Sequence, residues 1–173
     1  NGEKMTADNF TFSYKDITIL VIEDDAEQLD LLSTLLSKKY NVISSIDGKN
    51  AVDVALTNED LLILIDYNLN DITAKDVIDE IVKTTGTKPY FIVMTAFGNE
   101  RVAVEMMKLG AIDYLVKDLN FYDFLPSVVN NALKDIVKDK QLAVTQKSYQ
   151  ELNNRYIGLF KESQDAIYFS TFS

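Results

Sequence analysis

Residues 61–68 read LLILIDYN. Leu61, Leu62, Ile63, Leu64 and Ile65 form an unbroken aliphatic run that stops on the carboxylate of Asp66. A run this short and this apolar reads as a strand buried on both faces. Such strands belong to parallel sheets with helices packed on each side.

The rest of the chain supports that reading. Similar runs rich in β-branched, aliphatic and aromatic residues occur at 17–22, 41–46, 90–94 and 112–116, as strands require. Helical spacing fills the gaps between them. Leu29, Leu32, Leu35 and Leu36 share one face, as do Ala51, Val52, Ala55 and Leu56. Val77, Ile78, Ile81 and Val82 mark a third helix. Val102, Val104, Met106, Met107 and Leu109 mark a fourth, with Gly110 as its C-cap. A fifth starts near Phe121, with Pro126 in its first turns. Alternating strands and helices predict an α/β doubly wound five-stranded parallel sheet. Right-handed crossovers leave few strand orders, and 2-1-3-4-5 is expected.

Residues 1–16 are polar, with an aromatic cluster at Phe10, Phe12 and Tyr14, and read as an N-terminal tail. The chain starts on Asn1 rather than Met and reads as a trimmed sequence. From about residue 121 to about residue 160 the pattern is continuously helical, a long C-terminal extension. Leu142, Thr145, Tyr149, Leu152, Tyr156 and Leu159 follow alternating steps of three and four, the spacing of a coiled-coil seam. Val129, Leu133, Ile136, Val137 and Val144 do not share its phase, so the first half is expected to pack on the domain and 136–157 to form a linker. After Gly158 an amphipathic turn and the strand-like run AIYF suggest the start of a second domain over 158–173.

Composition removes whole classes of chemistry. Hydrophobic residues make up 47% and charged residues 25% of the 173 residues, a globular balance. No apolar run approaches the ~20 residues of a membrane span. Net charge is -10, which opposes direct binding to nucleic-acid phosphates. The chain has no cysteine and no histidine. Disulfides, thiolate metal sites, imidazole ligands and histidine general bases are therefore excluded from it, and a cytoplasmic location is consistent. Any metal must be a hard cation held by oxygen, Mg²⁺ or Mn²⁺.

In an open parallel sheet, sites form at the carboxyl ends of the strands. Strand 1 is followed by Glu23, Asp24 and Asp25, strand 3 by Asp66, strand 4 by Thr95 and strand 5 by Lys117. Singly, each has an ordinary explanation: Asp25 as a helix cap, Thr95 as a strand former, Lys117 as a solvated charge. Together they gather acids, a hydroxyl and an ammonium on one edge. Acids this close require protonation or a cation among them. With the charge balanced, Asp66 can stay ionised and act as a nucleophile toward a phosphoryl group.

The segments ITILVIEDD, LLILIDYNL, FIVMTAF and GAIDYLVKD, in this order and spacing, resemble the receiver domain of two-component response regulators. The resemblance runs over 17–135, about two thirds of the chain. It implies that Asp66 is the phosphoacceptor. It places Glu23 and Asp24 as metal-site acids, with Asp24 the direct ligand, and gives Asn68 the backbone carbonyl that completes the Mg²⁺ site. Thr95 matches the switch hydroxyl, Lys117 the site lysine, and Tyr114 the aromatic that turns with phosphorylation. The tail YIGLFKESQDAIYF resembles the opening of a PAS sensor domain.

Three positions depart from the receiver pattern. Asn70 replaces a common Pro, Thr73–Ala74 a common Gly, and Asp118 the Pro that usually follows the lysine. A cis bond to a non-proline residue costs roughly 3 kcal/mol, so a trans bond or a strained cis one is expected at Lys117–Asp118, with displacement of the last helix.

The implied function is a phosphorelay acceptor. A sensor histidine kinase or phosphotransfer protein donates to Asp66, and the C-terminal helix passes the change to an output domain in the same chain. On this reading the chain is a self-phosphorylating acceptor and not a turnover enzyme. Homodimerisation through helices 4–5 or the C-terminal helix is the expected self-association. Two alternatives stand beside it. One is a receiver-like interaction domain that is never phosphorylated, motivated by Asn70 and Asp118. The other is a phosphohydrolase with Asp66 as nucleophile, weakened because Asn68 cannot protonate a leaving group.

Overall fold

The computed structural model describes residues 12–96 and 100–170, with side chains as far as Lys161. The chain divides into two compact units, Ser13–Ile136 and a second formed by Val137–Ser173 with the N-terminal residues up to Phe12.

The first unit is built from β1 (Thr18–Ile22), α1 (Ala26–Ser37), β2 (Asn41–Ser45), α2 (Gly48–Thr57), β3 (Leu61–Asp66), α3 (Ala74–Thr85), β4 (Tyr90–Thr95), α4 (Glu100–Leu109) and β5 (Asp113–Val116). The first turns of α5 (Phe121–Ser170) complete it. The sheet order is β2-β1-β3-β4-β5 and every pairing is parallel. This is the expected α/β architecture, with β3 at its centre. All six residues of β3 are buried, which is why the five that precede Asp66 are apolar on both faces.

Alternation along the strands sorts the core into two layers. Leu20, Ile22, Ile63, Ile65, Phe91 and Val93 join one cluster with Val52, Val77, Ile78, Ile81 and Met106 from α2, α3 and α4. The intervening Ile19, Val21, Leu62, Leu64, Ile92 and Met94 are as deeply buried. Their face is the one left to α1, through Leu32 and Leu36, and to α5, through Phe121, Leu125, Val129 and Leu133.

Local chemistry sets the helix ends. Asp25 caps α1, its Oδ1 accepting from the N–H groups of Glu27 at 3.0 Å and Gln28 at 2.9 Å. Thr73 and Asp76 form a reciprocal capping box at α3. Gly110 closes α4 at φ 102, a left-handed conformation that glycine adopts without steric cost.

Several expectations change. Ile17 is buried but precedes β1, and residues 14–16 form a 3-10 turn capped by Ser13. Tyr14 packs edge-on against Tyr40, while the Phe12 ring lies 4.9 Å from Lys140 Nζ. Phe10, the third aromatic of the expected cluster, lies outside the described residues. Val104 and Met107, counted with the apolar face of the fourth helix, are exposed. The largest correction is at the C-terminus. The expected turn after Gly158 and strand at 166–169 are helical, since α5 continues to Ser170. Extending an existing helix fixes one residue per hydrogen bond gained, whereas a lone strand has no ladder to join. Residues 171–173 lie outside the described residues.

Candidate functional site

The site forms where four strands end. Backbone hydrogen bonds carry the ladder one residue past the strands: Tyr67 N–H to Met94 O at 2.9 Å, Lys117 N–H to Thr95 O at 2.8 Å, and Glu23 N–H to Ser45 O at 3.2 Å. Asp66 and Thr95 are thereby the last residues of β3 and β4 rather than loop residues. Their side chains inherit the rigidity of the central sheet.

Lys117 holds the site together. Its Nζ lies 2.5 Å from Asp66 Oδ1 and 2.6 Å from Glu23 Oε2. The three side chains are mostly buried, with relative exposures of 17%, 11% and 2% for Lys117, Asp66 and Glu23. Asn68 N–H donates to Asp66 Oδ2 at 3.1 Å, so both acceptor oxygens are engaged. Asp24 is half-buried, and carboxylate oxygens of Glu23, Asp24 and Asp66 fall within 4.8 Å of one another.

Burial and pairing oppose each other here. Burial raises the pKa of Glu23 and of Asp66, and the hydrogen bond from Lys117 recovers only part of that shift. For Lys117 burial alone would lower the pKa, but its bonds to Asp66 and Glu23 together outweigh that and leave it raised. Lys117 is thus firmly an ammonium, facing two carboxylates that it cannot fully neutralise. The cation required among these acids is, in part, supplied by the chain itself.

The other expected residues are placed as follows. Thr95 is buried, and its hydroxyl makes a 3.4 Å contact with Ala96 O. Tyr114 is half-buried on β5 and packs on the core cluster. Asn68 is exposed and bridges to Thr73 as an isolated antiparallel pair. The Lys117–Asp118 bond is trans, and the loop is closed by Phe121 N–H donating to Asp118 O at 3.2 Å.

Two supports of the site region escaped the sequence reading. Asp71 accepts from Gly48 N–H and Lys49 N–H, both at 3.0 Å, fastening the loop after β3 to the start of α2. Lys75 and Glu105 form an ion pair of 2.9 Å between α3 and α4. Neither has a local sequence signal, because each joins residues more than twenty positions apart.

Comparison with known proteins agrees with this geometry. The family model for the response regulator receiver domain matches residues 19–129. The chain belongs to the receiver-domain family of response regulators. Among curated relatives, the transcriptional regulatory protein ZraR of Escherichia coli K12 is 32% identical over 122 residues, covering 70% of this chain and 27% of that protein. The regulatory protein LuxO of Vibrio cholerae is 31% identical over 147 residues, covering 83% of this chain and 30% of its own length. The receiver thus spans less than a third of either relative. Among solved structures, the receiver domain of a putative LuxO repressor protein from Vibrio parahaemolyticus superposes with a TM-score of 0.64 at 27% identity, covering 73% of this chain and 95% of that one. Among the described residues no helix is long and apolar enough to cross a membrane.

Proposed function

We propose that this receiver takes a phosphoryl group onto Asp66. The observation that carries the reading is the shared ammonium of Lys117, 2.5 Å from Asp66 Oδ1 within the cluster Glu23, Asp24 and Asp66. The donor is a phosphohistidine on a sensor histidine kinase or phosphotransfer protein, because the chain has no histidine of its own. An Asp66 oxygen attacks phosphorus as the bond to the donor imidazole nitrogen breaks. The electron pair stays on that nitrogen, which takes up a proton, and Asp66 becomes an acyl phosphate. Lys117 balances charge on the transferred group.

The oxygen donors of the site suit a hard divalent cation. Glu23, Asp24, Asp66 and the carbonyl of Asn68 would hold Mg²⁺ or Mn²⁺, which supplies positive charge for the phosphoryl oxygens. Glu23 has a double duty in this arrangement, since it also anchors Lys117. Thr95 serves as the switch hydroxyl and Tyr114 as the aromatic that follows it. The change passes through α4, β5 and α5 to an output domain of the same chain, in the cytoplasm. In this layout 17–135 is the receiver and 136–157 the linker. Residues 158–173 are then the approach to a PAS-like domain, helical as far as Ser170. Self-association belongs to the same reading, with the exposed Val104, Met107 and Phe124 offering one surface and the C-terminal helix another.

The test is Mg²⁺-dependent labelling with a small acyl-phosphate donor. Label should enter the parent as an acid-stable, base-labile acyl phosphate, and Asp66→Asn should take up none. Equal labelling of Asp66→Asn would end the proposal. An unlabelled parent that is also unresponsive to beryllofluoride would favour the interaction-only receiver. Multiple turnover on a simple phosphate ester would favour the hydrolase.

A further inference from the structure

Beyond Val137 the side chains of α5 are exposed almost without interruption as far as Lys161. Several are large and apolar: Leu142 is 52% exposed, Tyr149 72%, Leu152 53%, Tyr156 57% and Leu159 56%. They are not scattered. Leu142, Tyr149 and Tyr156 recur every seven residues, and Thr145, Leu152 and Leu159 recur every seven residues three places later. These are the a and d positions of a heptad, carried on one continuous helix. Such a stripe is complementary to another helix bearing the same repeat.

We propose that residues 142–160 pair with a second copy of this chain as a parallel, in-register, two-stranded coiled coil. The flanking positions decide the choice of partner. With Leu142 at a, positions e are Gln146, Asn153 and Phe160, and positions g within the stripe are Ser148 and Arg155. In a parallel pair each g residue faces the e residue five places later on the other helix. Ser148 then meets Asn153 of the second copy, two groups able to hydrogen-bond. Arg155 meets Phe160 of the second copy, a guanidinium against an aromatic ring. Phe160 is 70% exposed in the single chain, and this pairing gives it a partner. No like charges face each other across the seam. The remaining charges, Lys147, Glu151 and Lys161, fall at c and f, away from it. An antiparallel pair sets g against g and e against e, and Phe160 loses Arg155. The stripe lies wholly in the part of α5 that follows Val137.

The absence of cysteine from the chain makes the geometry directly testable. In the full chain, Leu152→Cys at d and Gln150→Cys at the outward b position are each oxidised. The parallel register brings the two sulfurs introduced at position 152 together and keeps the two at position 150 apart, so the first variant should form covalent dimer about tenfold faster. Sedimentation of the parent should show a dimer, Leu152→Asp a monomer, and Arg155→Ala a dimer several-fold weaker. The unfolding midpoint of the receiver in Leu152→Asp should match the parent, showing that the fold is intact. A parent that stays monomeric up to its solubility limit overturns the proposal. So does equal cross-linking at 150 and 152. A dimer that survives Leu152→Asp also overturns it, and would assign the interface to another face such as α4 with α5.

Discussion

Replacing Lys117 with Met tests the electrostatic account of the site most directly. Methionine keeps much of the length and apolar stem of lysine but removes the ammonium that Asp66 and Glu23 share. At an effective dielectric near 20, unit charges about 4 Å apart attract by about 4 kcal/mol, and here there are two such pairs. Against this stands the several kcal/mol spent in removing the ammonium from water, which the variant no longer spends. Removing one partner of a buried pair costs about 3–5 kcal/mol, and the low exposure of these three side chains justifies using that range. The loss should depend on pH. Both carboxyls already have folded pKa values raised by burial, and without the ammonium they rise further. A group with a raised folded pKa contributes its stability in full below the unfolded value, about 4, and loses it as pH rises through the folded value. Lys117 in the parent keeps its charge throughout this window, since its own pKa is raised. Urea unfolding at about pH 8 should therefore show a deficit of about 3 kcal/mol or more, shrinking markedly near pH 4.5. Adding Asp66→Asn to the variant should recover part of the loss in a double-mutant cycle. A deficit below about 1 kcal/mol at pH 8, or the same deficit at both pH values, would refute the reasoning.

Other outcomes follow from the same structure. Asp66→Asn replaces a carboxylate disfavoured by burial with a neutral amide, so it should unfold at higher temperature than the parent at pH 8, with the difference closing below pH 4. Phe91→Ala removes a fully buried ring from the centre of one core layer and should cost about 3–5 kcal/mol in urea unfolding, with labelling at Asp66 retained under native conditions. Gly48→Ala places a Cβ 2.6 Å from Ile72 Cγ1 and 3.0 Å from Val77 Cγ2, so thermal unfolding should report a loss of about 1–3 kcal/mol.

The layered fold was legible in the sequence. Strand alternation, helical spacing, caps such as Asp25 and the glycine at 110 are local signals, set within a few residues. The residues at the strand ends were legible for the same reason: once the sheet is parallel, Glu23, Asp24, Asp66, Thr95 and Lys117 must share an edge. What those residues do to one another came from the folded chain. Glu23 and Lys117 stand 94 positions apart, and no local pattern says that they pair at 2.6 Å. Folding also set how far burial shifts their proton affinities, because that depends on which helices close over the edge. At the other end of the chain, local β-propensity in AIYF suggested a strand, and α5 overrode it. A strand draws its stability from neighbours in a sheet, whereas a helix satisfies its backbone within the segment itself.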